Sequence, residues 1–230
     1  MRSICLRIPA ARRVLDFGCG SGWVVAEAEY ESACQVFGID CSLQALSSAK
    51  KRHIRLAAAD GVQLPFADEA FDVVVGHVSM PYMNTRKALS EVFRVLAPGG
   101  SFFLTFHSFY YWRERLRSSV KARNWKDILF MGYVAANGFL NHHGLSQAQL
   151  WWRPSWFETV NTPRGVFRSA RLAGFDMITT EDGTRRIFFA ATGRKPNPSG
   201  GVVLPAPEWS IYCGLARRLQ PAARARSQSA

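Results

Sequence analysis

Near its start the chain carries an apolar run that leads directly into three closely spaced glycines. Val14-Leu15-Asp16-Phe17 is followed by Gly18-Cys19-Gly20-Ser21-Gly22, and the residues after this turn have helical character. Glycine lacks a Cβ, so the turn can adopt positive φ and approach a ligand, while the next helix offers free N–H groups. The pattern predicts a buried strand, a tight turn and a helix that together hold a nucleotide-like ligand.

The spacing of the glycines separates two kinds of ligand. The motif here is G-x-G-x-G with Asp16 two residues before the first glycine, whereas a dinucleotide-binding turn has the spacing G-x-G-x-x-G. Trp23 stands where that second pattern requires its third glycine. The spacing therefore favours S-adenosylmethionine over a dinucleotide.

Beyond this turn, short β-branched or aromatic runs alternate with helical segments, which predicts a doubly wound, Rossmann-like α/β fold with a mostly parallel sheet. Predicted strands cover residues 14–17, 35–40, 54–58, 71–76, 101–106, 176–180 and 186–192. Predicted helices cover residues 21–30, 43–52, 86–96 and 163–173. The turn signal Glu181-Asp182-Gly183-Thr184 joins the last two strands, so the sheet is expected to close with an antiparallel strand.

Two segments do not fit this alternation, and they divide the chain into residues 1–194 and a tail, 195–230. Residues from about 108 to 161 are too long for a simple connection and rich in aromatic side chains, which predicts an inserted lid. The tail is rich in Pro and Arg, so it is expected to be mostly irregular, with residues 211–219 apolar enough for a short helix.

Ligands of open parallel sheets bind at the carboxyl ends of the strands, and three aspartates stand at such ends here. Asp40 can accept hydrogen bonds from a ribose diol, and Asp60 can accept one from an adenine amine while the Gly61 N–H reaches a ring nitrogen. Asp16 would face the cationic end of the cofactor or orient the glycine turn. Plainer alternatives are a helix N-cap or turn aspartate for Asp40 and an Asp-Gly turn for Asp60.

In their order along the chain these motifs resemble the class I S-adenosylmethionine-dependent methyltransferases, particularly the ubiquinone/menaquinone-biosynthesis branch. The resemblance covers about residues 13–107, with a looser match over 163–193. The matching segments are Val14 to Gly22, Gly38-Ile39-Asp40, Ala59-Asp60-Gly61, Leu64-Pro65-Phe66, Phe71-Asp72-Val73-Val74 and Leu96-Ala97-Pro98-Gly99-Gly100. The resemblance implies a seven-stranded sheet whose last strand is antiparallel.

The resemblance also implies roles for individual residues. Gly18 and Gly20 would line the methionine portion of the cofactor, Asp40 would bind the ribose hydroxyls, and Asp60 with Gly61 would bind adenine. Members of the family usually have one or more helices before the first strand that cover the site, whereas about a dozen residues precede Val14 here. We therefore expect the aromatic insertion or a partner subunit to supply the cover; a truncated, inactive relative is the alternative.

Methyl transfer from a sulfonium is an in-line displacement, so the protein mainly aligns the reactants and excludes water. If the acceptor must lose a proton, His77 and His107 are the candidate catalytic bases, because both follow predicted strands on the ligand side. The alternative for each is a structural histidine that is held by hydrogen bonds and takes no part in catalysis. His142 and His143 are adjacent and thus poorly spaced for two ligands on one helix face, so no metal site is predicted.

The net charge of +12 is compatible with nucleic-acid binding, but the cations concentrate in residues 113–126 and in the tail rather than in a recognition motif. A small-molecule acceptor, of aromatic or lipid-like character, is therefore favoured. An RNA methyltransferase and a non-catalytic cofactor-binding scaffold are the alternatives. The aromatic residues of the insertion could stack on the acceptor, contact the sulfonium, form a core of their own or rest on a membrane interface.

Five cysteines, an odd number without paired C-x-x-C spacing, predict reduced thiols rather than a disulfide framework or a zinc site. No run of about 18 uncharged apolar residues predicts a transmembrane segment, and residues 1–10 do not read as a signal peptide. A cytoplasmic protein is expected.

Overall fold

The computed structural model describes residues 5–8, 11–30, 33–49, 54–150, 157–182, 187–200 and 208–210 of the chain. The strands are β1 (Cys5–Ile8), β2 (Arg13–Phe17), β3 (Glu29–Tyr30), β4 (Gln35–Asp40), β5 (Arg55–Ala58), β6 (Phe71–His77), β7 (Leu96–His107), β8 (Asp176–Asp182), β9 (Phe188–Arg194) and β10 (Glu208–Ser210). The helices are α1 (Trp23–Glu27), α2 (Leu43–Ala49), α3 (Thr85–Val95), α4 (Phe109–Lys121), α5 (Trp125–His142) and α6 (Pro163–Ala173), with a short 3-10 helix at Met80–Tyr82.

Seven strands form one sheet in the order β5-β4-β2-β6-β7-β9-β8. The pairs from β5 to β7 are parallel, and β9 runs antiparallel to both of its neighbours. The predicted Rossmann-like sheet with an antiparallel last strand is thus confirmed. That last strand lies inside the sheet and β8 forms the edge; the turn between them, residues 183–186, lies outside the described residues.

Both faces of the sheet are buried, which fixes its central strands. Along β6, Val74 packs into a cluster with residues of α3 and α6, while its neighbours Val73 and Val75 pack into a second cluster that includes Val25 of α1. Successive strand residues point to opposite faces, so helices cover both sides of the sheet. The carboxyl ends of β2, β4 and β6 are therefore held in fixed relative positions.

A second, three-stranded sheet corrects part of the sequence prediction. The first helix was expected over residues 21–30, but it ends at Glu27, and Glu29–Tyr30 form β3, which pairs with β1. β10 pairs with the other edge of β1, so three tail residues are in a strand. These partners lie far apart in sequence, and no local pattern announces their pairing. The predicted helix at 211–219 lies outside the described residues.

The inserted segment between β7 and α6 contains α4 and α5. The Trp112 indole N–H donates to the Met131 carbonyl at 3.0 Å, and Met131, Val134 and Val160 form a small separate core. Residues 151–156, with three of the tryptophans expected in the insertion, lie outside the described residues. That the inserted segment functions as a lid stays a prediction. No helix in the described ranges is both long and apolar enough to cross a lipid bilayer.

Candidate functional site

A cleft of about 320 Å³ opens at the carboxyl ends of β2, β4, β5 and β6. It brings together five of the eight predicted site residues, which come from separate parts of the sequence. They are Gly18, Asp40, Asp60, Gly61 and His77. The strand order places β4 and β6 on either side of β2, so these residues meet although up to 59 positions separate them in the chain.

The glycine turn follows the conformation that its sequence predicts. Gly18, Gly20 and Gly22 have φ of 72°, 53° and 73°, in the left-handed region that favours glycine. A Cβ on Gly18 would lie 2.3 Å from the Cβ of Ser79, so this approach requires glycine. The Ser79 hydroxyl donates to the Phe17 carbonyl at 2.7 Å, which holds the turn against the loop after β6.

Asp40 joins the end of β4 to the glycine turn. One carboxylate oxygen accepts from the Gly20 N–H at 2.9 Å and the other from the Ser42 N–H at 2.8 Å. The second bond makes Asp40 a turn aspartate, while Ser42 rather than Asp40 accepts from the Ala45 N–H at the start of α2; Asp40 also lines the cleft. A carboxylate has about four acceptor positions, so both oxygens can accept further bonds from a ligand without reorientation.

Asp60 and Gly61 form an Asp-Gly turn at the mouth of the cleft. One Asp60 oxygen accepts from the Val62 N–H at 3.1 Å, so the plain turn role is present here too. A Cβ on Gly61 would lie 2.6 Å from both the Met83 sulfur and the Phe17 ring. The turn is therefore packed closely against the cleft wall, and Asp60 remains exposed on it.

Asp16 is fully buried and does not line the cleft. Neither of its carboxylate oxygens has a hydrogen-bond partner among the described residues, so Asp16 does not brace the glycine turn through N–H groups. Burial, together with the charge of Asp40, raises the pKa of Asp16 to about 7. A cationic group placed near it would favour its ionised form.

The two candidate bases occupy different environments. His77 lines the cleft, and its Nδ1 lies 2.8 Å from the Thr105 hydroxyl oxygen. His107 does not line it; its ring stacks on Tyr111 with centroids 3.9 Å apart, and its buried Nδ1 has no hydrogen-bond partner among the described residues. Burial lowers the pKa of each to about 4, so both imidazoles are neutral at pH 7.

The loop after β6 supplies site residues that the sequence analysis missed. Val78, Ser79, Tyr82 and Met83 all line the cleft. Val78 has φ of 55°, a conformation that a β-branched residue rarely adopts, and its N–H donates to the Thr105 hydroxyl at 2.9 Å. The sequence signal that could have indicated this loop was Pro81, a residue that favours turns, a few positions after a strand that ends on the ligand side.

A larger cavity of about 740 Å³ adjoins the cleft. The two share Asp60, Tyr82 and Met83, and the larger one is also bounded by α3 and by Phe157 from the end of the insertion. The ring of Tyr82 meets the ring of His107 edge-on at 6.0 Å. Tyr82 thus stands at the junction of both cavities and next to a candidate base.

The first half of the chain is similar in sequence to a methyltransferase family and to methyltransferases of two bacteria. The methyltransferase domain family matches residues 15–104. A demethylmenaquinone methyltransferase of Corynebacterium kroppenstedtii is 37% identical over 89 residues, or 38% of either chain. A ubiquinone/menaquinone biosynthesis C-methyltransferase of Desulfotalea psychrophila is 39% identical over 99 residues, or 40% of either chain. The match therefore spans about 40% of the length of these relatives.

Among solved structures, a SAM-dependent methyltransferase from Thermotoga maritima superposes with a TM-score of 0.53 at 17% sequence identity. The alignment covers 82% of this chain and 83% of that one. At this identity the likeness concerns the fold, and it extends beyond the residues that the family comparison matches.

Proposed function

We propose that this chain, of which residues 15–104 are a class I S-adenosylmethionine-dependent methyltransferase domain, transfers a methyl group from S-adenosylmethionine to a small-molecule acceptor. The domain and its cofactor are those that the motif order predicted. The observation that carries the proposal is the convergence of Gly18, Asp40 and Asp60 on one cleft at the carboxyl ends of the parallel strands. Ligands of this sheet architecture bind at that edge.

The residues of the cleft fit the cofactor. Gly18 and Gly61 line the cleft, and a Cβ at either would collide with protein atoms behind it, so only glycine keeps the backbone in this position. We assign the methionine portion to Gly18 and Gly20, the ribose diol to Asp40, and adenine to Asp60 and Gly61. Two backbone N–H groups already orient the Asp40 carboxylate, so binding costs little reorganisation there.

Charge in and near the cleft also suits a cationic cofactor. The bound sulfonium supplies an electrophilic methyl group. A protonated His77 in the cleft wall would repel this cation, but burial keeps its imidazole neutral at pH 7. Asp16 is buried and has no hydrogen-bond partner among the described residues, so its ionised form gains from the approach of positive charge. His77 and His107 remain the proposed bases for an acceptor that must lose a proton.

The acceptor enters through the larger cavity and reaches the cofactor at Tyr82. Tyr111 of α4 stacks on His107, and Tyr82 meets the same ring, so the insertion packs directly beside the cleft. We therefore assign the cover to the insertion, residues 108–161 of a methyltransferase domain spanning 1–194, rather than to a partner subunit. We assign residues 195–230 to a tail, of which residues 208–210 pair with β1.

Calorimetry with S-adenosylmethionine tests the cofactor site. Wild-type protein should bind, and Asp40→Ala should bind at least tenfold more weakly, the equivalent of about 1.4 kcal/mol. Asp68→Ala is the matched control, since Asp68 is exposed and lines neither cavity. Absence of binding by the wild-type protein would overturn the assignment.

Transfer of labelled methyl from the cofactor to a panel of phenols, quinols and amines tests the activity. Label recovered in one of these compounds supports the proposal. Label recovered only in added RNA supports an RNA methyltransferase. Cofactor binding without transfer to any compound supports a non-catalytic scaffold.

A further inference from the structure

The turn between α4 and α5 presents unusual side chains to solvent. Residues 120–126 are all exposed, and three apolar side chains in and beside this turn are more than half exposed. The exposed fraction is 55% for Val120, 71% for Trp125 and 76% for Leu129. Large apolar side chains clustered at one exposed turn are characteristic of surfaces that meet another phase or molecule. We call residues 120–129 the insertion tip.

The insertion tip is also strongly cationic. Lys121, Arg123 and Lys126 are exposed, and none has a carboxylate within ion-pair distance among the described residues. The acidic Asp127 makes no ion pair with them, because it binds Arg115 at 3.0 Å. Three cations that have no ion-pair partner among the described residues therefore lie within four sequence positions of Trp125.

We propose that the insertion tip docks on an anionic lipid surface. Apolar side chains beside cations without ion pairs match the two zones of such an interface, since Trp and Leu enter the boundary of the acyl chains while Lys and Arg meet headgroup phosphates. Nucleic acid would engage the cations and leave Val120 and Leu129 in water. A second copy of the tip would bring like charges together.

The insertion is braced so that docking sets the position of the cleft. Arg115 binds Asp127 and Glu158, and Trp112 binds Met131, which ties α4 to α5 and to the segment after them. α4 begins two residues after β7 ends at His107. Its 13 residues span about 20 Å. The insertion tip therefore lies one helix length from His107, at the end of α4 that is far from the sheet. This inference does not depend on the proposed methyl transfer.

Vesicle cosedimentation of the full-length protein tests the proposal. Vesicles of equal parts phosphatidylglycerol and phosphatidylcholine should bind the protein far more strongly than pure phosphatidylcholine. A triple variant, Lys121→Gln with Arg123→Gln and Lys126→Gln, should lower the partition coefficient about 100-fold, from about 1 kcal/mol per cation. Trp125→Ser with Leu129→Ser should lower it at least tenfold.

The matched control pairs an exposed apolar residue with an exposed cation on another helix. Arg171→Gln with Leu172→Ser on α6 should leave vesicle binding unchanged. The tail arginines, outside the described residues, stay in every variant, so the differences report the insertion tip alone. Equal binding by wild type and both tip variants would overturn the proposal. So would binding to single-stranded RNA with none to vesicles, or a concentration-dependent dimer that only the Trp125 and Leu129 changes abolish.

Discussion

The Gly20 N–H donates a hydrogen bond of 2.9 Å to the Asp40 carboxylate and so joins the glycine turn after β2 to the end of β4. The same carboxylate accepts from the Ser42 N–H at 2.8 Å. The Asp40 side chain therefore both shapes the turn and faces the cleft. A substitution of Asp40 changes stability and ligand binding together, so both quantities must be measured.

Asp40→Asn should weaken both stability and cofactor binding. The neutral amide has a single acceptor oxygen, so one of the two backbone N–H groups keeps only a neutral acceptor and the other faces an NH2 group, at about 1–3 kcal/mol of unfolding free energy. Cofactor affinity should fall by at least tenfold. Urea unfolding and calorimetry measure the two effects, with Asp68→Asn as the control, which loses only an exposed ion pair with Arg94 worth about 0–1 kcal/mol. Stability lowered no more than in this control would contradict the bracing role.

Gly18→Ala should be much more damaging than Gly20→Ala. Both glycines have positive φ, but an added Cβ at Gly18 meets Ser79 at 2.3 Å, whereas one at Gly20 has nothing within 4 Å. The strain alone costs about 1 kcal/mol, and the overlap adds about 1–3 kcal/mol. Thermal unfolding of the two variants compares these costs. Equal losses would mean that the turn does not rest against Ser79.

Asp16 should make the stability of the cofactor-free protein fall as pH rises. Its folded pKa of about 7 lies above the ordinary 3.8, so its protonated form favours the folded state. That contribution is complete below pH 4 and is lost as pH rises to about 7. Asp16→Asn should abolish this dependence and stabilise the protein at pH 8 by up to about 4 kcal/mol. Parallel slopes of stability against pH for both proteins would refute the assignment.

Cofactor affinity should show the opposite dependence on pH. A cationic ligand favours ionised Asp16, so binding releases a proton and the affinity rises as pH increases through about 7. Calorimetry between pH 6 and 8 in buffers of different ionisation enthalpy measures the released proton. Asp16→Asn should bind more weakly and show a flat profile. A wild-type profile without proton release would place Asp16 out of reach of the ligand charge.

Cys41 should report occupancy of the cleft. Cys41 is an exposed free thiol that lines the cleft. Cys19 is buried, and burial raises the pKa of the Cys19 thiol to about 12. Iodoacetamide should therefore modify Cys41 and spare Cys19 in the folded protein. S-adenosylhomocysteine should slow the labelling of Cys41, followed by peptide mass spectrometry. A labelling rate that the ligand does not change would place the cofactor elsewhere.

Several elements could be predicted to the residue because their limits carry local signals. β4 spans residues 35–40 and α6 spans 163–173, as expected from sequence. Thr162 accepts from the Gly165 N–H at the start of α6, and Gly174 ends the helix at φ 105°. Such caps act within a few residues and need no tertiary partner. α1 was predicted too long, because the pairing of β3 with β1 takes Glu29 and Tyr30 out of the helix.

By itself the sequence determined the βα alternation, the glycine turn and the aspartates that follow the strands, since all of these depend on local conformation and hydrophobic periodicity. Only the tertiary structure decided which of these residues share a cleft. It placed His77 in the cleft wall and His107 behind Tyr82, and it brought the loop after β6 against Gly18. It also buried Asp16 where no described residue hydrogen-bonds its carboxylate. Those relationships depend on strand order and on packing between residues far apart in the chain, which no local pattern contains.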